Sequence, residues 1–257
     1  MKKELPSISI ITPSFNQGRF IKQTIDSVLS QQYPNLEYIV IDGGSTDDTI
    51  SILKSYGNNI IWESKKDKGQ TSALNKGFKR ATGEIIAYLN SDDVYLPNTL
   101  LTVGEHFLEH PETMWVTGDY FIIDAENKKI QSFVASYKKY LRKKPSFSSL
   151  CVANYIVQPS TFWRSSLFNE IGYFNESFRY CMDYDFWIRI IQKYPPTVLS
   201  RHFSLFRIHD TSKGGTQYKM QFEEEHRVVI SYTKKIPIIY AHKIHAQLIA
   251  WIYTVIK

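Results

Sequence analysis

The sequence predicts an α/β protein built as a three-layer sandwich around a mostly parallel sheet, and three observations predict it. Short apolar runs alternate with helix-like stretches over the first hundred residues, two of those runs end abruptly in carboxylates, and no internal repeat or low-complexity tract breaks the alternation. At 257 residues the chain buries a sizeable core and suits one large α/β domain with an appendage better than two full domains.

The first strand is expected at residues 7–12 and the first helix at 19–32. A second strand at 36–41 ends in Asp42, followed by Gly43-Gly44-Ser45-Thr46-Asp47-Asp48-Thr49. The glycines permit close backbone approach or positive φ, and Ser45 or Thr46 is expected to cap a helix over 46–56. A third strand at 60–63 precedes a helix over 70–81, which Ala81-Thr82-Gly83 stops. The fourth strand, 85–89, delivers Asn90-Ser91-Asp92-Asp93 into a loop, and a helix over 97–110 starts at Pro97.

Beyond this point strands at 114–123 and 129–135 are expected to form a hairpin around Asp124-Ala125-Glu126-Asn127, with a short strand at 160–163. A helix over 183–194 ends before Pro195-Pro196, and 199–208 reads as extended. Ser212-Lys213-Gly214-Gly215-Thr216 marks a boundary between a domain at 1–215 and a helical extension at 216–257. In that extension, helices over 217–235 and 238–257 flank Pro237.

Composition narrows the function. Hydrophobic content of 43% with 22% charged residues excludes a disordered chain. A net charge of +6 asks for an anionic partner: a nucleoside diphosphate, an anionic membrane surface or nucleic acid. Nucleic acid is set aside, because the cations are dispersed and no zinc-finger, basic-zipper or aromatic RNA-binding signature is present. The compact run Lys138-Lys139-Tyr140-Leu141-Arg142-Lys143-Lys144 is either solvated surface or a contact for lipid phosphates or a charged acceptor.

Cys151 and Cys181 form no disulfide framework, which favours a reduced, cytoplasmic setting. After Lys2 and Lys3 the apolar stretch is too short for a signal peptide, and no segment reaches the roughly 20 apolar residues of a membrane span. A soluble protein, or one peripheral on the inner face of the membrane, is expected. The last helix, with His242, Lys243 and His245 among Ile, Tyr and Trp, either packs on the domain or a second subunit or lies in a membrane plane.

In open α/β sheets ligands bind beyond the carboxyl ends of the strands, so Asp42 and the Asp92-Asp93 pair are expected to face one crevice. Paired acids there can hold a divalent cation against phosphate oxygens, although Asn, Ser and Asp equally make a plain turn. Asp183 and Asp185 open a helix, where one can cap and the other reach the cleft as a general base, since residues two apart face different ways. His209 ends an extended segment, and its imidazole is either structural or closes over a cation or phosphate.

Several stretches occur together in a particular order. They are Ser9-Ile10-Ile11-Thr12-Pro13-Ser14-Phe15-Asn16, Tyr38-Ile39-Val40-Ile41-Asp42-Gly43-Gly44-Ser45-Thr46-Asp47, Asp67-Lys68-Gly69-Gln70 with Asn75-Lys76-Gly77, and Leu89-Asn90-Ser91-Asp92-Asp93. Gln158-Pro159-Ser160-Thr161-Phe162, Met182-Asp183-Tyr184-Asp185 and Arg207-Ile208-His209 follow. This ordered set, across residues 7–215, resembles the family 2 glycosyltransferases of GT-A fold that build bacterial capsule, lipopolysaccharide and other surface glycans.

The resemblance implies an inverting enzyme. It would use Mn²⁺ or Mg²⁺ to move a sugar from a nucleotide-diphosphate donor, most simply a UDP-sugar, to a hydroxyl of a glycan or lipid-linked saccharide. By position, Thr12 and Pro13 would line the nucleotide pocket, Asp42 would accept from the base, and Gln70 and Asn75 would add nucleotide contacts. Asn90 and Asp92 would meet the donor ribose or sugar, Asp93 and His209 would bind the metal, and Asp183 would be the catalytic base.

Two departures are visible: Asn90 replaces the first acid of the Asp-x-Asp motif, and Met182 stands where many relatives carry Glu. No Gln-x-x-Arg-Trp segment marks a processive synthase, so a single linkage is expected. The rival readings are a sugar-phosphate nucleotidyltransferase, whose glycine-rich basic signature is missing, and a non-catalytic nucleotide-sugar or glycan-binding protein.

Overall fold

The computed structural model describes residues 4–210, 212 and 218–256; Lys2, Lys3 and the Lys213-Gly214-Gly215-Thr216 part of the expected boundary lie outside them. Strands β1 (Ile8–Ser14), β2 (Leu36–Asp42), β3 (Ile61–Ser64) and β4 (Ile85–Tyr88) run parallel in the order β3-β2-β1-β4. Helices α1 (Ile21–Leu29), α2 (Thr49–Ser55) and α3 (Gln70–Arg80) make the crossovers. Every residue of β1 and β4 is buried, as expected of strands covered on both faces.

From β1 the sheet grows to one side through β2 and to the other through β4. This is a topological switch point, which opens a crevice beyond the strand ends. A Cβ on Gly77 would lie 2.5 Å from Ile11 Cγ2, so only glycine lets α3 sit this close to β1.

After β4 the sheet continues through β8 (Thr161–Arg164), β6 (Trp115–Ile123), β9 (Thr197–Arg207) and β5 (Val94–Tyr95), with β7 (Lys129–Ile130) beside β6. The order mixes directions: β8 is antiparallel to β4 and β6, while β9 is parallel to β6. Helices α4 (Thr99–Glu109), α5 (Ser132–Leu141), α6 (Phe147–Val152), α7 (Leu167–Ile171) and α8 (Met182–Ile191) cover it. Two C-terminal helices follow, α9 (Tyr218–Tyr232) and α10 (Ile236–Ile256).

Alternation along β4 divides the core. Ile86 and Tyr88 join a cluster around Trp115, Trp163 and Trp187, while Ile85, Ala87 and Leu89 join another with Ile10, Ile25 and Phe107. All three tryptophans are fully buried, and Trp115 stacks on Trp187 at 5.6 Å, so they build core and present no platform to an acceptor. Both cysteines are free and buried, and burial pushes the Cys151 thiol up to about 11.

Two local expectations are corrected. The hairpin forms, with Ile122 opposite Ile130 and Ile123 opposite Lys129, but its second arm stops there instead of reaching residue 135. Gln131 enters the left-handed region (φ 47°) and α5 begins, because Phe133, Tyr137 and Tyr140 recur at helical spacing. Helix α2 starts at Thr49, later than expected, with no cap from Ser45 or Thr46. Ser45 Oγ donates to Asp42, and Asp47 accepts from the Thr49 and Gly18 amides.

Candidate functional site

The crevice is assembled from residues that end strands and from loops those strands aim. Ser14 pairs with Asp42 at the tips of β1 and β2. The loop after β4 is tied to α1 by the Thr24 hydroxyl, which donates to the Asp93 carbonyl at 2.7 Å.

The two adjacent acids of this loop take opposite orientations. The Asp93 carboxylate is 0% exposed and accepts from the Arg207 amide at 2.9 Å and Asn90 Nδ2 at 3.2 Å. Burial, then the neighbouring Asp92, hold its carboxyl well above the ordinary carboxylate range. The Asp92 side chain is 18% exposed, and its Oδ2 lies 3.1 Å from His209 Nε2. The acid that meets His209 is Asp92, while Asp93, the expected metal ligand, is enclosed and accepts from Arg207 and Asn90.

Arg207 holds the arrangement together. Its Nε donates to the Asp92 carbonyl at 2.7 Å, Nη1 to the Asp124 carbonyl at 3.0 Å and Nη2 to Gln23 Oε1 at 2.8 Å, and its guanidinium lies over the Phe20 ring. The end of β9 is thereby joined to the acidic loop, the β6–β7 turn and α1. A cleft of about 210 Å³ adjoins this point, lined by Asn16, Gln17, Arg19, Phe20, His209 and Asp210.

A chain of side-chain amides forms the inner wall. Gln70 Nε2 donates to Asn90 Oδ1 at 2.7 Å, Asn90 Nδ2 to Gln158 Oε1 at 3.0 Å, and Gln158 Nε2 to the Tyr88 carbonyl at 2.7 Å. Asn90 therefore donates to two acceptors, Asp93 and Gln158, where an aspartate would meet Asp93 with like charge and leave Gln158 Oε1 without its donor. Reading the sequence assigned no role to Gln158 or Arg207; the signal available was their place inside the ordered motifs.

Three expected nucleotide contacts are otherwise engaged. Asp42 is fully buried and accepts from the Gly44 and Ser45 amides, at 3.0 and 2.8 Å, and from the Ser45 and Ser64 hydroxyls. It organises the loop after β2. The Thr12 hydroxyl is buried against the Tyr38 phenol at 3.0 Å, with Pro13 buried beside it. Asn75 is not brought into the amide chain, because its Nδ2 and Oδ1 are spent on the Phe174 main chain, at 2.9 and 3.1 Å, and on Glu176.

Asp183 lies in the first turn of α8, where Cys181 occupies the N-cap position. It is half-buried, and its Oδ1 accepts from the Tyr184 amide at 2.7 Å. Asp185 is buried and bound by Arg189 and by the Tyr232 hydroxyl at 2.7 Å, so it serves the local structure while Asp183 stays half-exposed. Burial raises the Tyr88 phenol well above its ordinary value, and the charges of Asp183 and Asp93 add to the effect, so both carboxylates lie within electrostatic reach of the end of β4.

The C-terminal helices reach this region. Glu224 on α9 is buried and accepts from the amides of Arg179 (3.0 Å), Tyr180 and Cys181 (2.8 Å), immediately before Asp183. Burial pushes the adjacent Glu225 carboxyl up to about 7, with Asp183 reinforcing the shift and Lys138 and the Gln221 amide opposing it. Neither glutamate was singled out from the sequence, since both sit in a helix whose charges read as ordinary surface.

Residues 9–172 match the family model described as glycosyl transferase family 2. An uncharacterized glycosyltransferase of Rickettsia typhi is 33% identical over 240 residues, covering 90% of this chain and 73% of that protein. S. aureus TarS 1-349, solved with UDP-GlcNAc, superposes with a TM-score of 0.69 at 20% identity, covering 88% of this chain and 66% of that one. Mannosyltransferase PcManGT of Pyrobaculum calidifontis, solved with GDP-Man and Mn²⁺, gives 0.71 at 18% identity over 93% and 69%. The fold is shared with both solved proteins, and the chain spans 66–73% of the length of the three.

Proposed function

The chain belongs to glycosyl transferase family 2, and from that premise we propose that it moves a sugar from a nucleoside-diphosphate donor to an acceptor hydroxyl with inversion at the anomeric carbon. One observation carries the reading. Asp92 and His209, 117 residues apart, meet at 3.1 Å beyond the switch point of the sheet, the place where such sheets bind phosphorylated ligands.

Asp92 and His209 also suit a divalent cation, Mn²⁺ or Mg²⁺, since they offer one carboxylate oxygen and one imidazole nitrogen side by side. Among the described residues no three His, Cys, Asp or Glu side chains gather as a metal set, so the diphosphate and water would complete the coordination. The ion would supply positive charge against the departing diphosphate.

The remaining steps belong to the protein. Asp183 takes the proton of the acceptor hydroxyl while that oxygen bonds to the anomeric carbon and the carbon–phosphate-oxygen bond breaks, releasing the nucleoside diphosphate. Asn90, Gln70 and Gln158 hold the donor side of the crevice in register, and Arg207 fixes the backbone on which Asp92 and His209 ride.

The UDP-GlcNAc and GDP-Man of the two fold relatives support a nucleotide-sugar donor, for which a UDP-sugar is the simplest choice. A glycan or lipid-linked saccharide on the way to a surface polysaccharide is the acceptor we favour, used by residues 1–215 with 216–257 as a helical extension. Among the described residues no helix is long and apolar enough to cross a membrane.

Calorimetric titration of UDP, GDP and dTDP with and without Mn²⁺ tests the donor side. Metal-dependent binding of one nucleotide, weakened by Asp92→Asn, is expected. Binding of none, together with no release of free nucleotide from any nucleotide-sugar, would overturn the reading.

A further inference from the structure

Helices α5 and α10 carry the largest run of exposed apolar side chains, and it lies outside the crevice. On α10 the exposed residues Ile236 (77%), Tyr240 (65%), Ile244, Leu248 and Trp251 (62%) recur every three or four positions, which places them on one face. The opposite side of the helix is anchored: His242 is buried, with Nδ1 3.3 Å from the Val152 carbonyl at the end of α6. On α5 the exposed residues Phe133, Tyr137 and Tyr140 likewise share a face. The Tyr137 and His245 rings stack at 5.9 Å, so the two faces adjoin.

Charge identifies what covers this surface. Neither α5 nor α10 contains an Asp or Glu, and the run that continues α5 to Lys144 contains none either. Exposed Lys143 and Lys144 follow α5, Lys234 and Lys235 precede α10, and Lys243 stands within the α10 face. Lys143 Nζ lies 5.5 Å from the Tyr140 ring centroid. Two copies of such a face would oppose lysine to lysine, whereas an anionic bilayer offers phosphates to the lysines and an acyl boundary to the apolar stripe. Tyr and Trp, apolar bodies with polar tips, suit that boundary.

We propose that α5 and α10 together form a docking surface for an anionic lipid bilayer, with α10 lying in the plane of the interface. Lys138, on α5, is within electrostatic reach of Asp183, so α5 runs near the proposed base. An acceptor carried on a lipid would arrive there. The docking itself does not depend on the transfer reaction, and its test reads binding alone.

Flotation of the full chain with phosphatidylglycerol–phosphatidylcholine vesicles, beside pure phosphatidylcholine vesicles, decides the matter. Binding to the anionic vesicles only, weakened by salt, is expected. Ile244→Ser with Leu248→Ser on one helix, and Lys143→Ser with Lys144→Ser after the other, should each weaken it by roughly tenfold or more. Circular dichroism melts should match the unsubstituted protein, since all four side chains are exposed.

Equal binding to both vesicle types, or to neither, would overturn the proposal, as would variants that fold and bind like the parent. Light scattering that finds a dimer dissolved by the same substitutions would assign the face to a second copy instead.

Discussion

The half of this molecule proposed to hold the donor and the half proposed to receive the acceptor are held together by different means. Around β1 to β4, main-chain pairing between strands close in sequence sets the crevice, and side chains such as Asp42 and Asn90 only tighten loops the sheet has already aimed. Around Asp183, side chains arriving from the last third of the chain set the geometry: Glu224 gathers three amides before α8, and Tyr232 binds Asp185. Backbone register tolerates substitution of most single side chains. A position held by a few buried carboxylates does not, so the acceptor half is expected to be the fragile one.

The largest effect that would break this contrast is chemical. Asp183→Asn should lower turnover about 10²- to 10⁴-fold while nucleotide binding by calorimetry stays intact; near-normal turnover would remove Asp183 from its role. Next, Glu224→Ala leaves three amides without their acceptor and should cost roughly 3 kcal/mol in chemical denaturation, with turnover falling more than nucleotide affinity. Equal losses on both sides would mean that the two halves are coupled.

The pH dependence sharpens the contrast further. Glu225 has a folded-state pKa of about 7, above its ordinary value of 4.5, so its contribution to stability is full below the lower value and lost as pH rises through the higher. Lys138 and Asp183 are the charged groups that act on it. The unfolding free energy should therefore fall between about pH 5 and 8 by on the order of 2–3 kcal/mol, with the melting temperature falling alongside, and Glu225→Gln should remove that dependence. A melting profile identical in parent and variant would contradict this.

On the donor side smaller effects are expected. Asp92→Asn should raise the Mn²⁺ concentration for half-maximal nucleotide binding by about tenfold or more, whereas Asp93→Asn should change the melting temperature and leave the metal requirement alone. The opposite assignment of these two phenotypes would return the metal to Asp93. Smallest of all, Tyr232→Phe deletes one hydroxyl from Asp185 and should cost about 1 kcal/mol in denaturation.

The same contrast explains what could be read in advance. The strands at 8–14, 36–42 and 85–88 announce themselves because buried parallel strands are continuous apolar runs, and the acids that end them were found for that reason. Which of two adjacent acids faces the crevice was not legible, because it depends on how Arg207, 114 residues away, binds the loop. The partners of Asn75, Phe174 and Glu176, were equally hidden, because they lie about a hundred residues on. Helix α5 was missed because its first residues, 132–135, continue the apolar run of β7, and α6 because it is only six residues long.

Strand β9 has a consequence for the order in which the chain assembles. It lies between β6 and β5, pairing in parallel with one and antiparallel with the other, and its last residues supply Arg207 and lead to His209. Until some two hundred residues have been synthesised, β5 has no partner strand and β6 leaves one side open to association with other chains. Closing the roughly hundred-residue loop between β5 and β9 is slow relative to forming the first βαβ units. The Asp92–His209 pair is thus among the last contacts to form, and a competent crevice reports that the whole sheet has closed.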